Sequence, residues 1–229
     1  MPYDLKPDEI RVLGVLIEKS LALPEYYPMT INAIVAAANQ KNNRDPVTEL
    51  SESQVSAALS SLRRRGLADQ APPEKNSRSI RFQHMAETKF GWNAAQRAIM
   101  GELMIRGPQT LGEIRAHASR MTHLESTDYA RDLLGELERA DPPLVVELER
   151  ETGKRERRFA QLLGGQPTHA SIQYGPAASG PAPSAPPDRS TSPPTTARVY
   201  ADPLESRIAD LEKTVADLTA RLTRLEESP

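Results

Sequence analysis

The sequence predicts a mainly α protein with small β-hairpins: two tandem winged-helix domains followed by a C-terminal coiled-coil helix. Residues 8–83 and 92–162 both read as three helices followed by a two-stranded hairpin. Short motifs recur in the same order in both repeats, ending in an Arg-Phe pair at 81–82 and again at 158–159. Beyond the repeats, a Pro-rich stretch leads into a leucine heptad pattern. Duplicated units of this kind favour a binding function over catalysis.

In the first repeat, helix and strand signals follow one another along the chain. Apolar residues at helical spacing and a turn-bounded hairpin predict helices 8–20, 31–40 and 52–65 and strands 67–71 and 78–83. Thr30 and Ser51 precede the second and third helices and are favoured N-caps. Gly66 is expected to end the third helix, because glycine readily adopts the left-handed conformation found there.

The second repeat shows the same signals in the same order. It predicts helices 94–106, 111–118 and 127–139 and strands 144–148 and 157–162. Asn93, Thr110 and Ser126 stand at the expected N-cap positions. Phe90 and Trp92, between the repeats, are expected to fill the contact between the two domains rather than to stack on bases.

Composition divides the chain into four parts. These are domain 1 (1–90), domain 2 (91–163), a disordered Pro-rich linker (164–203) and a coiled-coil helix (204–227). Apolar residues alternate three and four apart in the last part, which favours a parallel two-stranded coil and a homodimer. The seam residues expected to mediate dimerisation are Leu204, Ile208, Leu211, Val215, Leu218, Leu222 and Leu225. The alternative is an amphipathic helix folded back on the domains.

Composition also excludes several classes of function. The 229 residues include no Cys, which excludes disulfides, thiolate metal sites and a Cys nucleophile. The N-terminus does not resemble a signal peptide, and no apolar run is long enough for a membrane span, so a cytoplasmic protein is expected. His117 follows Glu113 on one helical face, but two such ligands do not make a metal site. We predict no catalytic residues, no metal and no cofactor.

Several stretches resemble a known bacterial family. Glu9–Lys19 and Tyr26–Pro46 resemble the first signature of the YceH-like proteins. Arg106–Met121 resembles their second signature, and Arg155–Leu163 resembles their closing segment. The resemblance covers most of residues 5–163. It implies two winged-helix domains and assigns no biochemical activity. Ala38 stands where relatives often carry Cys, so a thiol role there is excluded in this chain, and Leu23 stands where they often carry Thr.

The third helix of domain 1 is the expected recognition helix. Its outward side chains include Glu52, small hydroxyls and arginines, and a basic rim is expected around it. The candidate DNA-binding residues are Arg44, Ser53, Ser56, Ser60, Arg63, Arg64, Lys75, Arg78 and Arg81. Alternatively, Arg63 and Arg64 serve only to complement the helix dipole. The loop 39–46 either holds a phosphate or a partner's main chain, or is tied down internally, with Arg44 pairing Asp45.

Domain 2 suits DNA less well. Its third helix carries Asp128, Asp132 and Glu136, which phosphates would repel. Basic residues in its hairpin alternate with glutamates, so cross-strand pairing is the favoured explanation for them.

The sequence therefore predicts a non-enzymatic protein that binds double-stranded DNA, a candidate transcriptional regulator, through the third helix and wing of domain 1. The alternative is a protein–protein interaction adaptor built from winged helices, without direct DNA contact. The net charge of −2 and the acidic second recognition helix favour that alternative.

Overall fold

The computed structural model describes residues 3–73, 79–150 and 152–165, which belong to one compact unit. The helices in these ranges are α1 (Pro7–Ala22), α2 (Ile31–Ala38), α3 (Glu52–Arg64), α4 (Ala86–Phe90), α5 (Ala94–Arg106), α6 (Leu111–Ala118) and α7 (Thr127–Glu138). The strands are β1 (Ala68–Gln70), β2 (Phe82–His84), β3 (Gln109–Thr110), β4 (Val145–Glu147) and β5 (Arg158–Gln161). The predicted mainly helical fold with small antiparallel sheets is confirmed.

The order of elements repeats. In the second half, β3 pairs with β5 at Gln109 and Phe159, and β5 pairs with β4, giving the sheet order β3-β5-β4. In the first half, β1 pairs with β2, and Met29 forms an isolated antiparallel bridge to Phe82. The two phenylalanines of the Arg-Phe motif therefore occupy matching places, each buried and each paired with a residue just before the second helix of its repeat.

Local capping chemistry explains where the helices begin and end. Each predicted N-cap side chain accepts a hydrogen bond from the backbone N–H three residues on, as seen at Thr30, Ser51, Asn93, Thr110 and Ser126. After α3, Gly66 has φ +69°, its N–H donates to Arg63 O, and Leu67 N–H donates to Leu62 O. This is the Schellman ending expected for a glycine after a helix.

Three short elements were not predicted: α4, β3 and a 3-10 helix at Pro24–Tyr26. The strands are shorter than predicted, α3 and α7 each end one residue early, and α2 ends two residues early. The helix α4 and the two-residue strand β3 are too short to show a periodic pattern. The helix α2 ends at Ala38, because the side chain of Asn39 is engaged by the following loop. Its Nδ2 donates to Leu50 O at 2.8 Å, and its Oδ1 accepts from Leu50 N–H at 2.7 Å.

The first helices of the two repeats, α1 and α5, pack closely on each other through glycine. Gly14 is the eighth residue of α1 and Gly101 the eighth of α5. A Cβ on Gly14 would lie 2.7 Å from Met104 Cβ, and one on Gly101 would lie 3.1 Å from Ile17 Cγ2. Met104 and Ile17 also hold matching positions in their helices, so the contact is reciprocal and joins the repeats.

Aromatic side chains between the repeats join this core. Trp92 is buried and stacks on Phe90 with ring centroids 4.1 Å apart, and Tyr3 meets Phe90 edge-on. This confirms that Phe90 and Trp92 fill a packed contact. The division at residue 90 stays a prediction. The predicted coiled coil and almost all of the predicted linker lie outside the described residues.

Among the helices of the described ranges, none combines the length and apolar character required to cross a bilayer.

Candidate nucleic-acid interface

Apart from Glu52 and Gln54 in the first turn, the solvent-facing side of α3 is a strip of small side chains that ends in arginines. Ser53, Ser60, Arg63 and Arg64 are exposed, and Ser56 is half-buried. The opposite side, with Val55, Leu59 and Leu62, is fully in the core. Small hydroxyls allow a helix to lie close to another surface, and their oxygens can accept or donate hydrogen bonds.

The arginines at the end of α3 differ in their partners. Arg63 Nε lies 3.3 Å from Asp69 Oδ1, but both side chains are about half exposed, 41% and 55%. Such an exposed pair is weak, so Arg63 can exchange Asp69 for a phosphate at little cost. Arg64 forms no ion pair within the residues that the structure describes. Arg65 donates through Nη1 to Tyr3 O.

The structure places Arg44 away from this strip, which corrects its inclusion among the DNA-binding residues. Its side chain is 0% exposed, and Nη2 lies 2.6 Å from Glu18 Oε2 on α1. Nε and Nη1 donate to Ala37 O and Asn43 O. The partner of Arg44 is therefore Glu18 and not Asp45, and this ion pair holds the loop 39–46 against α1. A guanidinium held in this way cannot reach a phosphate.

The remaining basic candidates stand in or beside the first hairpin. Arg81 is half-buried, and its Nη1 donates to Pro28 O at 2.9 Å. Lys75 and Arg78 lie outside the described residues. The described part of the candidate surface is therefore α3 itself, with Arg63 and Arg64 at its C-terminal end.

The matching helix of the second repeat, α7, has the opposite charge. Asp128, Asp132 and Glu136 lie on its solvent-facing side. In the hairpin that follows, Arg157 Nη1 lies 2.9 Å from Glu147 Oε2, which confirms cross-strand pairing at that position. The two repeats therefore share an order of elements but present chemically different surfaces.

A serine and a histidine meet under the first hairpin, but not as a catalytic pair. His84 Nε2 lies 2.9 Å from Ser20 Oγ, while His84 Nδ1 accepts from Ala86 N–H at 3.3 Å. Nδ1 is therefore the acceptor, and Nε2 carries the proton and donates to Ser20. Ser20 Oγ in turn donates to Ile17 O. In this tautomer the imidazole cannot take a proton from Ser20, so the pair anchors β2 to α1.

This buried imidazole should make stability depend on pH. Burial, assisted by the nearby Arg97, lowers the pKa of His84 to about 4. The unfolded chain binds a proton near pH 6.5, so stability is full above that pH and lost as the pH falls toward 4, by roughly 3 kcal/mol. His84→Gln keeps a hydrogen-bond donor for Ser20 but does not titrate. We therefore expect its free energy of unfolding to fall by roughly 3 kcal/mol less than that of the unaltered protein when the pH is lowered to 4.

The measurement is denaturant unfolding of both proteins near neutrality and near pH 4. Carboxylates titrate in both proteins and cancel in the difference. Equal acid losses in the two proteins would show that His84 does not titrate between the folded and unfolded states.

Among the described residues, no group of three or more His, Cys, Asp or Glu side chains converges. His117, which the sequence pairs with Glu113, instead contacts Gln109 Oε1 through Nδ1 at 2.6 Å.

Comparison with known proteins gives a consistent result. Residues 5–154 match a family model described as "Protein of unknown function, DUF480". A UPF0502 protein of Geobacter sulfurreducens is 42% identical over 210 residues, covering 92% of this chain and 88% of that protein. A UPF0502 protein of Geobacter metallireducens is 41% identical over 207 residues, covering 90% and 86%. A UPF0502 protein of Koribacter versatilis is 42% identical over 163 residues, covering 71% and 75%.

Proposed function

Because the chain belongs to the DUF480/UPF0502 family, whose description assigns no activity, we propose a function from its geometry: binding of double-stranded DNA by α3. In this proposal each repeat is a winged-helix domain, and only the first inserts its third helix into the major groove. Such binding would suit a regulator of transcription.

One observation carries the proposal. From Ser53 to Arg64, the whole of α3 after its first residue contains no acidic side chain, and its exposed strip offers hydroxyls and then two guanidinium groups. The major groove of DNA admits an α-helix, and serine and arginine contact both phosphates and base edges. The helix α7 has the same place in its repeat but carries carboxylates along its exposed face, so the absence of acidic residues after Glu52 in α3 is not a general property of this fold.

The salt dependence of binding tests the arginines. We expect Arg63→Ala/Arg64→Ala to weaken binding of a labelled random-sequence duplex and to reduce the slope of log affinity against log salt by about 2, since each lost phosphate contact releases about one counterion fewer. Fluorescence anisotropy of the full chain across a salt series measures both quantities.

The matched control is Arg131→Ala/Arg139→Ala, which removes the same charge from α7 and its C-terminal end. It should leave the slope unchanged. If both double variants lose affinity and slope equally, only net charge matters and α3 is not the contact. If the unaltered protein does not bind the duplex at low salt, the proposal is wrong.

A second function, a protein–protein adaptor without DNA contact, is supported by the exposed face of α7. Its acidic residues surround Tyr129, which is 36% exposed, and exposed tyrosines are common in protein interfaces. The failure of DNA binding described above, with the fold intact, would favour this function.

A further inference from the structure

We propose that the junction of the two repeats carries a second phosphate-contacting surface, formed by Arg106 and Arg120, which meet at the side chain of Asn43, together with Lys41 of the same loop. This inference rests on the proposed DNA binding and assigns part of the footprint to the second repeat, despite its acidic α7. We call these four residues the junction patch.

The geometry of the junction patch brings arginines from one repeat onto the other. Asn43 belongs to the loop between α2 and α3, and its Oδ1 accepts from Arg106 Nη2 and from Arg120 Nη1, the latter at 3.3 Å. Arg106 ends α5, and Arg120 follows α6. The loop is fixed against the second repeat, since Asp45 N–H donates to Ile105 O at 3.0 Å.

The patch holds more positive charge than its partners neutralise. Arg106 has a carboxylate, with Nε 3.0 Å from Glu102 Oε2. Arg120 is exposed and donates to the neutral amide of Asn43, while Lys41 is exposed nearby in the same loop. Glu18 is already paired with the buried Arg44. Two carboxylates, Glu102 and Asp45, lie near the three cations: burial raises the pKa of each, and the charge of Arg106 opposes that rise. Three cations against two carboxylates leave one positive charge in excess.

Electrostatics at the neighbouring imidazole agree with this excess. Burial lowers the pKa of His117, and the positive charges of Arg106 and Arg120 lower it further, against the opposing effect of Glu113. Two guanidinium groups that share one neutral acceptor repel each other, and an arriving phosphate relieves that repulsion. This is the arrangement expected where a polyanion binds.

Its place in the chain relates the patch to α3. The loop that holds Asn43 leads into the N-terminal end of α3, whereas Arg63 and Arg64 stand at the C-terminal end of this 13-residue helix. A helix of that length spans about 20 Å. In this proposal the patch lies beyond the N-terminal end of α3 and Arg63 and Arg64 lie at its C-terminal end, so that the two sets of cations contact different phosphates of one duplex.

Asn43→Asp tests the patch without shortening any side chain. Asn43 has φ +62°, a conformation that Asp also tolerates, and a carboxylate there would pair with both arginines, so the fold should be kept or stabilised. We expect duplex affinity to fall at least about fivefold at low salt and the salt slope to fall by about 1 to 2. Lys41→Ala/Arg120→Ala should have the same effect by removing the cations.

The matched control is Asn93→Asp, the same change at the N-cap of α5, the opposite end of the helix that ends in Arg106. Aspartate caps as well as asparagine, so folding and total charge match. The inference is wrong if Asn43→Asp binds like Asn93→Asp while Arg63→Ala/Arg64→Ala is weakened; DNA binding by α3 then stands. If the unaltered protein binds no duplex, both proposals fail together.

Discussion

Glu18→Ala is expected to destabilise the protein by roughly 3 to 5 kcal/mol, because it leaves the buried charge of Arg44 without its carboxylate. Glu18 is itself only 12% exposed in this pair, and Nη2 and Nη1 of Arg44 contact its two oxygens at 2.6 and 3.2 Å. The backbone carbonyls of Ala37 and Asn43 remain as partners, but they cannot neutralise a guanidinium in the interior. Denaturant unfolding gives the change in free energy.

Two comparisons separate burial of charge from simple loss of a contact. In Glu18→Ala/Arg44→Met both charges are gone. The double variant should therefore lose at least about 1 kcal/mol less free energy of unfolding than Glu18→Ala and Arg44→Met lose when their separate effects are added. Asp69→Ala, which removes the partner of the exposed Arg63, should cost less than about 1 kcal/mol. Additive effects at Glu18 and Arg44 would contradict a coupled buried pair.

Gly14→Leu is expected to cost about 3 kcal/mol or more, because a well-packed contact has no room for added carbons. Even a single Cβ at Gly14 would lie 2.7 Å from Met104 Cβ and 2.9 Å from Ile105 Cγ2. Both neighbours belong to α5, so the side chain would force α1 and α5 apart and open the contact between the repeats. Thermal and denaturant unfolding measure the loss.

The control for backbone effects is Gly112→Ala. Gly112 lies in α6, and no atom lies within 4 Å of the position that its Cβ would occupy, so alanine there should stabilise the helix by about 0.5 to 1 kcal/mol. Opposite signs at the two glycines would identify close packing as the cause at Gly14. Stabilisation at both would show that α1 and α5 can separate freely.

Much of the fold could be predicted from the sequence, because it depends on interactions between residues that are close in the chain. Helix periodicity, the five N-caps and Gly66 depend on residues within a turn of one another, so the sequence places them directly. The Arg81-Phe82 and Arg158-Phe159 match likewise identified the repeated strands. The position of Gly14 could also have predicted the contact with α5, because a glycine inside a helical pattern is destabilising and usually has a packing reason.

The candidate site could be predicted less well from the sequence, because its chemistry depends on ion pairs and hydrogen bonds between residues that are far apart in the chain. The sequence does not distinguish Arg44 from Arg63, since both are simply basic residues. The fold shows that Arg44 is buried and paired with Glu18, whereas Arg63 is exposed and only weakly paired with Asp69. In the same way, nothing near Asn43 in the sequence indicates that Arg106 and Arg120 meet it. Ion pairing across repeats has no local pattern.

Contact between α3 and DNA can be tested most directly by alkylation of a single thiol. The chain has no Cys, so Ser60→Cys gives one reactive group on the exposed strip, and Asp132→Cys gives one on the exposed face of α7. We expect saturating duplex DNA to slow alkylation at residue 60 strongly and to leave residue 132 unchanged. Equal alkylation rates at residue 60 with and without bound DNA would contradict insertion of α3 into the groove.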